Sequence, residues 1–367
     1  MLMNQYVKDS LELLRQMVRT PSVSFEEAAV RELICDALER WGVPFTVVRG
    51  NIVARSEGYD TARPTLVLDA HIDTVPPCAG YTRDPFDPGD DPDRIWGLGS
   101  NDDGGSVAAM IAVFRALRTA QLPFNLLLAL CCQEERSGAD GASWLYSPEG
   151  LLATDPSFGL PRWAIVGEPT GLRAATSERG LLVLDGEAHG VSGHAARGEG
   201  VNALYIALDD IAALRAHKFG RLSPVMGEVG LNVTQIAAGT AHNVIPDSCR
   251  FVVDVRPTEQ YSNQELFEEL QGLCRSTLTP RNLSNRSSAS RPCSPLVRAA
   301  EAIGLETFSS PTTSDWMRMS CDAIKIGPGE SSRSHRPDEF ILCSEVAAAA
   351  EVYTNLINNI IYGDTLE

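Results

Sequence analysis

LLLALCCQEERSG, residues 126–138, joins an apolar run of strand length to two cysteines, one glutamine and the adjacent carboxylates Glu134 and Glu135. A strand apolar on both faces belongs in a sheet covered on both sides. Successive side chains of an extended chain point to opposite sides, so two adjacent glutamates that both serve a site would serve it differently. The neighbouring segments repeat the pattern. TLVLDAHID (65–73), FNLLLALCC (124–132) and RWAIVGEP (162–169) read as strands, and DGGSVAAMIAVFRALRTA (103–120) reads as a helix. Such alternation predicts an α/β domain with a mixed, mostly parallel sheet and helices on both faces. Cys131 and Cys132 read as small apolar residues of a buried strand.

Upstream, MLMNQYVKDSLELLRQMV has the charge spacing of an amphipathic helix and lacks the apolar core of a signal peptide. Ser24 to Glu27 has capping-box spacing and predicts a helix that runs to a stop at Gly42. After residue 176 the order becomes strand, helix, strand, strand, helix. That order predicts an inserted α+β domain of ferredoxin-like type, an antiparallel sheet with two helices on one face. The expected division is 1–176 and 286–367 for the catalytic domain and 177–285 for the insert. The polar segment 279–295 reads as either a linker or a last edge strand.

The chain has 367 residues, and its length alone suggests two domains. A net charge of −17 argues against nucleic acid or an anionic membrane surface as partner. No stretch approaches the ~20 apolar residues of a membrane span. Nine scattered cysteines form no disulfide framework and no CxxC pair, so the expected compartment is the cytoplasm.

Ligands of open α/β sheets bind outside the carboxyl ends of the strands. His71 and Asp73 end one strand, Asp102 precedes a helix, Glu134 and Glu135 follow the next strand, and Glu168 ends another. His335 lies in the loop before the last helix. Spacings of 31, 32 and 33 residues separate successive sites, about one strand–helix unit each, which brings them to one sheet edge. Two imidazoles with several carboxylates and no thiolate suit a hydrolytic zinc site. The carboxylate excess would let one aspartate bridge two metals ~3.5–4 Å apart. Asp73 is placed to accept the other ring N–H of His71.

HIDTVPP, GLGSNDDGGS, the Glu-Glu pair, VGEPT, GHAARGEGVNA and GPGESSRSH together resemble the zinc-dependent aminoacylase and carboxypeptidase superfamily, in order and over nearly the whole chain. That group includes acetylornithine deacetylase, succinyl-diaminopimelate desuccinylase, aminoacylase and several dipeptidases. The resemblance implies a zinc-peptidase-like catalytic domain with an inserted lid that pairs two chains into a homodimer. It implies two Zn2+ per chain, with Co2+ a possible substitute. His71, Asp102 and Glu168 would hold one ion, and Asp102, Glu135 and His335 the other. Glu134 would be the general base and His194 the residue that stabilises the oxyanion, acting in its own chain or in the partner. A cis peptide between Asp102 and Asp103 is also implied.

Where many members carry Met-Lys-Gly after the bridging aspartate, this chain carries Asp103-Gly104-Gly105. The motif set most resembles the acetylornithine deacetylase-like branch of arginine biosynthesis. The leading expectation is hydrolysis of N-acetyl-L-ornithine to L-ornithine and acetate. The alternatives are a succinylornithine, acetylcitrulline or succinyl-diaminopimelate deacylase, a dipeptidase, or a metal-binding protein without catalysis. A free α-carboxylate on such a substrate suits a bidentate arginine. Arg256, Arg179 and Arg333 are the candidates, with Asn243 of HNVIP beside the strands of the insert. Thr313-Ser314-Asp315 reads as a substrate contact or as a plain turn or helix cap. His189, His217 and His242 match no ligand position.

Overall fold

The computed structural model describes residues 2–361. It divides into two compact units. One takes the chain up to Thr176, Ser290–Phe308 and the chain from Ser314 onward; the other takes Ser177–Ala289 and Ser309–Thr313. The mixed α/β sheet and the ferredoxin-like insert are both present.

In the first unit the central strands run in the order Thr46–Val48, Asn51–Arg55, Asn125–Cys131, Thr65–His71, Trp163–Val166 and Asp322–Lys325, followed by Ala174–Glu178. The middle of this sheet is parallel: Thr65–His71 pairs in that sense with both Asn125–Cys131 and Trp163–Val166, and Asp322–Lys325 extends it. Asn51–Arg55 and Ala174–Glu178 pair antiparallel. The sheet is therefore mixed with a parallel centre.

Alternation within Asn125–Cys131 accounts for the two covered faces. Leu126, Leu128 and Leu130 join a core with helices Leu2–Val18, Gly104–Leu117 and Cys343–Asn358. Leu127, Ala129 and Cys131 join a second core with Leu145, Leu152 and Trp316. Each fully buried leucine contributes roughly 1.5–3 kcal/mol relative to exposure, so a charged replacement of any of these leucines should destabilise the unit by at least that much. Helix Gly104–Leu117 is apolar nearly all round, with its side chains from Gly104 to Phe114 buried. An all-apolar helix of that length can exist only inside the protein.

The insert contains strands Leu182–His189, Gly230–Ala238, Ser248–Arg256 and Thr277–Pro280, in the antiparallel order second, third, first, fourth. Helices Ala203–Ala216 and Asn263–Leu273 share its core with alternate strand residues such as Leu182, Leu184, Val253 and Val255. Helix Asn263–Leu273 opens on a complete capping box between Ser262 and Glu265. The polar stretch 279–295 thus begins as an edge strand.

The capping box expected at Ser24 does not form. Helix Ala28–Arg40 starts one residue after Glu27 with no side-chain cap, and Phe25 sits at a φ of +75°. Ser24 Oγ instead donates to Asp73 Oδ2 at 2.7 Å, and Glu27 Oε1 accepts the backbone N–H of Phe25 and of Gln133. The polar atoms that would have closed the helix are drawn to the strand ends. The Gly42 stop is present at a φ of +64°.

Candidate metal centre

The parallel register sets His71 level with Cys131, so the turns after these two strands emerge side by side. After Cys132 the chain turns sharply. Gln133 adopts a left-handed φ of +62°, Glu134–Arg136 form a single 3-10 turn, and Ser137 is left-handed again. This reversal places consecutive glutamates at the sheet edge.

Asp73 holds the turn. Its Oδ1 accepts the Glu134 N–H at 2.9 Å and its Oδ2 the Glu135 N–H at 3.1 Å. Burial pushes the Asp73 carboxyl upward, yet neighbouring His71, Ser24 and the Glu134 amide hold it below the usual carboxylate range. The expected pairing with His71 is looser. The ring Nδ1 lies 3.1 Å from the Asp73 carbonyl oxygen and 3.5 Å from its carboxylate, so the carbonyl is the closer acceptor.

Asp102 lies between two imidazoles. Its Oδ1 is 3.3 Å from His71 Nε2, and its Oδ2 is 3.6 Å from His335 Nε2. His335 Nε2 also lies 2.9 Å from Glu135 Oε1. His71, Asp102 and Glu168 form one group with donor atoms all within 4.8 Å of one another, and Asp102, Glu135 and His335 form a second. The peptide bond between Asp102 and Asp103 is cis, and Asp103 stands at the start of helix Gly104–Leu117. Two residues that sequence reasoning missed fix this loop. Glu339 Oε1 accepts the N–H of Asn101 at 2.9 Å and of Asp102 at 3.0 Å. The Asn101 side chain donates to Glu330 O and Ser334 Oγ and accepts the Glu330 N–H, tying the Asp102 turn to the loop of His335. Neither residue has a sequence signal apart from its nearness to a ligand.

The electrostatics suit cations. Burial raises Glu168 well above the ordinary carboxylate range, and nearby Asp102 adds to it. Burial and the adjacent Glu135 lift Glu134 to about 8. The bond to Glu135 lifts His335 to about 9. Crowded carboxylates in a buried place disfavour ionisation unless positive charge is supplied. Two imidazoles and three carboxylates, one of them turned to both imidazoles, form a donor set that fits divalent metal.

The remaining expected residues belong to the second unit or to other pairs. His194 is exposed; its Nδ1 accepts the Ala196 N–H at 3.2 Å, which leaves the ring proton of the neutral form on Nε2. Arg256 makes a two-pronged pair with Asp254 at 2.8 and 3.0 Å. Arg179 donates to the carbonyls of Glu228, Arg256 and Met226. Asn243 is exposed, and its carbonyl accepts the Ala195 N–H. Arg333 forks onto Glu345 at 2.8 and 3.0 Å. Ser314 Oγ accepts the Trp316 N–H, the cap reading of that segment.

A mixed, two-faced sheet with a parallel centre and paired carboxylate–imidazole groups at its carboxyl edge defines a metal-dependent hydrolase acting on linear amides. Residues 67–359 match Peptidase family M20/M25/M40, and the chain belongs to that family. Among curated relatives it is 28% identical to the acetylornithine deacetylase of Proteus mirabilis (strain HI4320), over 97% of this chain and 98% of that one. It is likewise 28% identical to the acetylornithine deacetylase of Salmonella arizonae (strain ATCC BAA-731 / CDC346-86 / RSK2980), over 95% and 97%. Among solved structures, a tripeptidase from Staphylococcus aureus subsp. aureus Mu50 superposes with a TM-score of 0.72 at 18% identity, covering 96% of this chain and 98% of that chain. The Bacillus subtilis YXEP protein, described as a dinuclear metal binding peptidase from the M20 family, superposes with a TM-score of 0.70 at 17% identity, over 96% and 98%.

Among the described residues no helix is long and apolar enough to cross a membrane.

Proposed function

We propose that the chain is a cytoplasmic di-zinc amidohydrolase that removes the acyl group from an N-acyl amino acid, with N-acetyl-L-ornithine the leading substrate. The observation that supports it most is the two-sided Asp102 carboxylate, one oxygen toward His71 and the other toward His335. In this reading His71, Asp102 and Glu168 would hold one ion, and Asp102, Glu135 and His335 would hold the other. The substrate class rests on the acetylornithine deacetylases, which are similar to this chain nearly end to end.

Bound metal would supply Lewis acidity toward the scissile carbonyl and acidify an attacking water. Glu134 takes the proton from that water and later delivers it to the leaving nitrogen, one residue acting as base and then acid. Its amide is anchored on Asp73, so the carboxyl is held rigidly while its proton moves. His194 donates from Nε2 to the developing oxyanion, a contribution of a kind typically worth ~3–4 kcal/mol. Arg256, with Asn243, binds the substrate carboxylate, exchanging Asp254 for the ligand, while Arg179 supports it by donating to the carbonyls of Arg256, Glu228 and Met226. The insert pairs two chains into a homodimer.

A coupled deacylation assay over acetylornithine, succinylornithine, acetylcitrulline, succinyl-diaminopimelate and a dipeptide tests the substrate. Acetylornithine should be turned over fastest. Faster turnover of the dipeptide would move the chain to the peptidases that share its fold.

A further inference from the structure

On the same side of strand Thr65–His71 as His71, one pleat down, lies a second cluster of donors that the hydrolytic reading does not use. Asp69, Cys131 and Asp315 place one donor atom each within 4.8 Å of one another, and all three side chains are buried. Asp69 is wholly excluded from solvent and Asp315 is 5% exposed. Tyr146 donates its hydroxyl to Asp69 Oδ2 at 2.5 Å, and the Cys131 thiol donates to the same oxygen at 3.3 Å. The other oxygen of Asp69, Oδ1, has no hydrogen-bond partner, and neither has Asp315 Oδ2.

Two buried carboxyls can coexist by sharing a proton, by binding water or by binding a cation. A shared proton between the orphan oxygens would bring them within hydrogen-bond distance, and each of them lacks such a partner. The Cys131 thiol gives Asp69 Oδ2 one weak donor and leaves the two orphan oxygens unanswered, whereas a thiolate and two carboxylates suit a borderline divalent ion.

We propose that Asp69, Cys131 and Asp315 form a separate, buried cation site that takes a zinc-class divalent ion, with the Tyr146 hydroxyl fixing Asp69 beside it. Binding removes the thiol proton to solvent and leaves a thiolate on the metal. The site lies beneath the strand end that carries His71, so its ion would stiffen that strand rather than touch substrate. This assignment is independent of the reading of the hydrolytic centre, whose donor groups contain no thiolate.

The thiolate provides the test. Full-length protein is produced in cobalt-supplemented medium, so that sites fill as the chain folds, and its near-ultraviolet spectrum and metal content are measured. The expected result is a thiolate-to-cobalt charge-transfer band. Cys131→Ser, nearly isosteric, should abolish the band and lower the metal count by one per chain. Asp315→Asn should also lower the count and weaken the band. Deacylation by Cys131→Ser should persist. No band in the folded wild-type protein, or a band that survives Cys131→Ser, overturns the proposal; the first result assigns the cleft to water. Because the band reads sulfur ligation alone, its outcome does not depend on whether the His71–His335 centre works as proposed.

Discussion

Asp73 accepts the backbone N–H of Glu134 on one carboxylate oxygen and that of Glu135 on the other, at 2.9 and 3.1 Å. One aspartate therefore sets the positions of both the proposed base and a proposed metal ligand. Asp73→Ala would leave two amides without their acceptors in a closed place, at a cost of about 1–3 kcal/mol each. Asp73→Asn keeps the shape and one acceptor, and should weaken metal binding or activity about 10–100-fold. Thermal melting and zinc titration of the two variants separate these effects. Unchanged zinc affinity in both would show that the contact is incidental.

Glu134 and Glu135 should fail differently. Glu134→Ala is expected to keep its metal content while kcat falls by about a hundredfold or more. Glu135→Ala should lose metal, because it removes the partner that faces His335 at 2.9 Å. Elemental analysis beside steady-state kinetics makes the comparison, and reversed outcomes would sink the assignment.

Metal affinity should rise with pH. In the metal-free protein the bond to Glu135 lifts His335 to about 9, above its ordinary 6.5. The sign follows from linkage. The protonated imidazole stabilises the metal-free fold below 6.5, and that stabilisation is lost as pH rises through about 9. Protons therefore compete with the second ion throughout this window, and uptake should release protons. Calorimetry in buffers of different ionisation enthalpy would count them. An affinity flat between pH 6.5 and 9 would contradict this.

The two arginines of the insert should also separate. Arg179 serves three internal carbonyls, so Arg179→Ala should lower Tm, with a loss of about 1–3 kcal/mol. Arg256, half-exposed and paired only with Asp254 two residues away, should raise KM when replaced by alanine and leave Tm nearly unchanged. A KM indifferent to Arg256→Ala would remove it from substrate recognition.

The sheet was legible because its strands are near-continuous apolar runs bounded by glycine, proline and charge, and such runs have one stable use. The clustering of these imidazoles and carboxylates at one sheet edge was legible because one strand–helix unit separates successive members. The turn at Gln133 was not, since a non-glycine residue in the left-handed region has no sequence mark. Ser24 and Glu27 misled for a physical reason: the spacing of a capping box is local, whereas the bonds that won are to Asp73 and Gln133, far along the chain. Glu339, Asn101 and Asp69 stayed hidden because they act by accepting or donating to a neighbour's backbone or by meeting a distant side chain. Only the folded register brings those partners together. Cys131 was read as plain core; it is buried as expected, but its thiol bonds to a carboxylate.

In the proposed amidase centre Asp102 bridges two metal ions. Anomalous diffraction from zinc-loaded crystals of the deacylation-competent protein tests it most directly. Two peaks ~3.5–4 Å apart are expected on either side of the Asp102 carboxylate, one beside His71 and Glu168 and the other beside His335 and Glu135. A single peak there, or none, in protein that hydrolyses acetylornithine at full rate would contradict it.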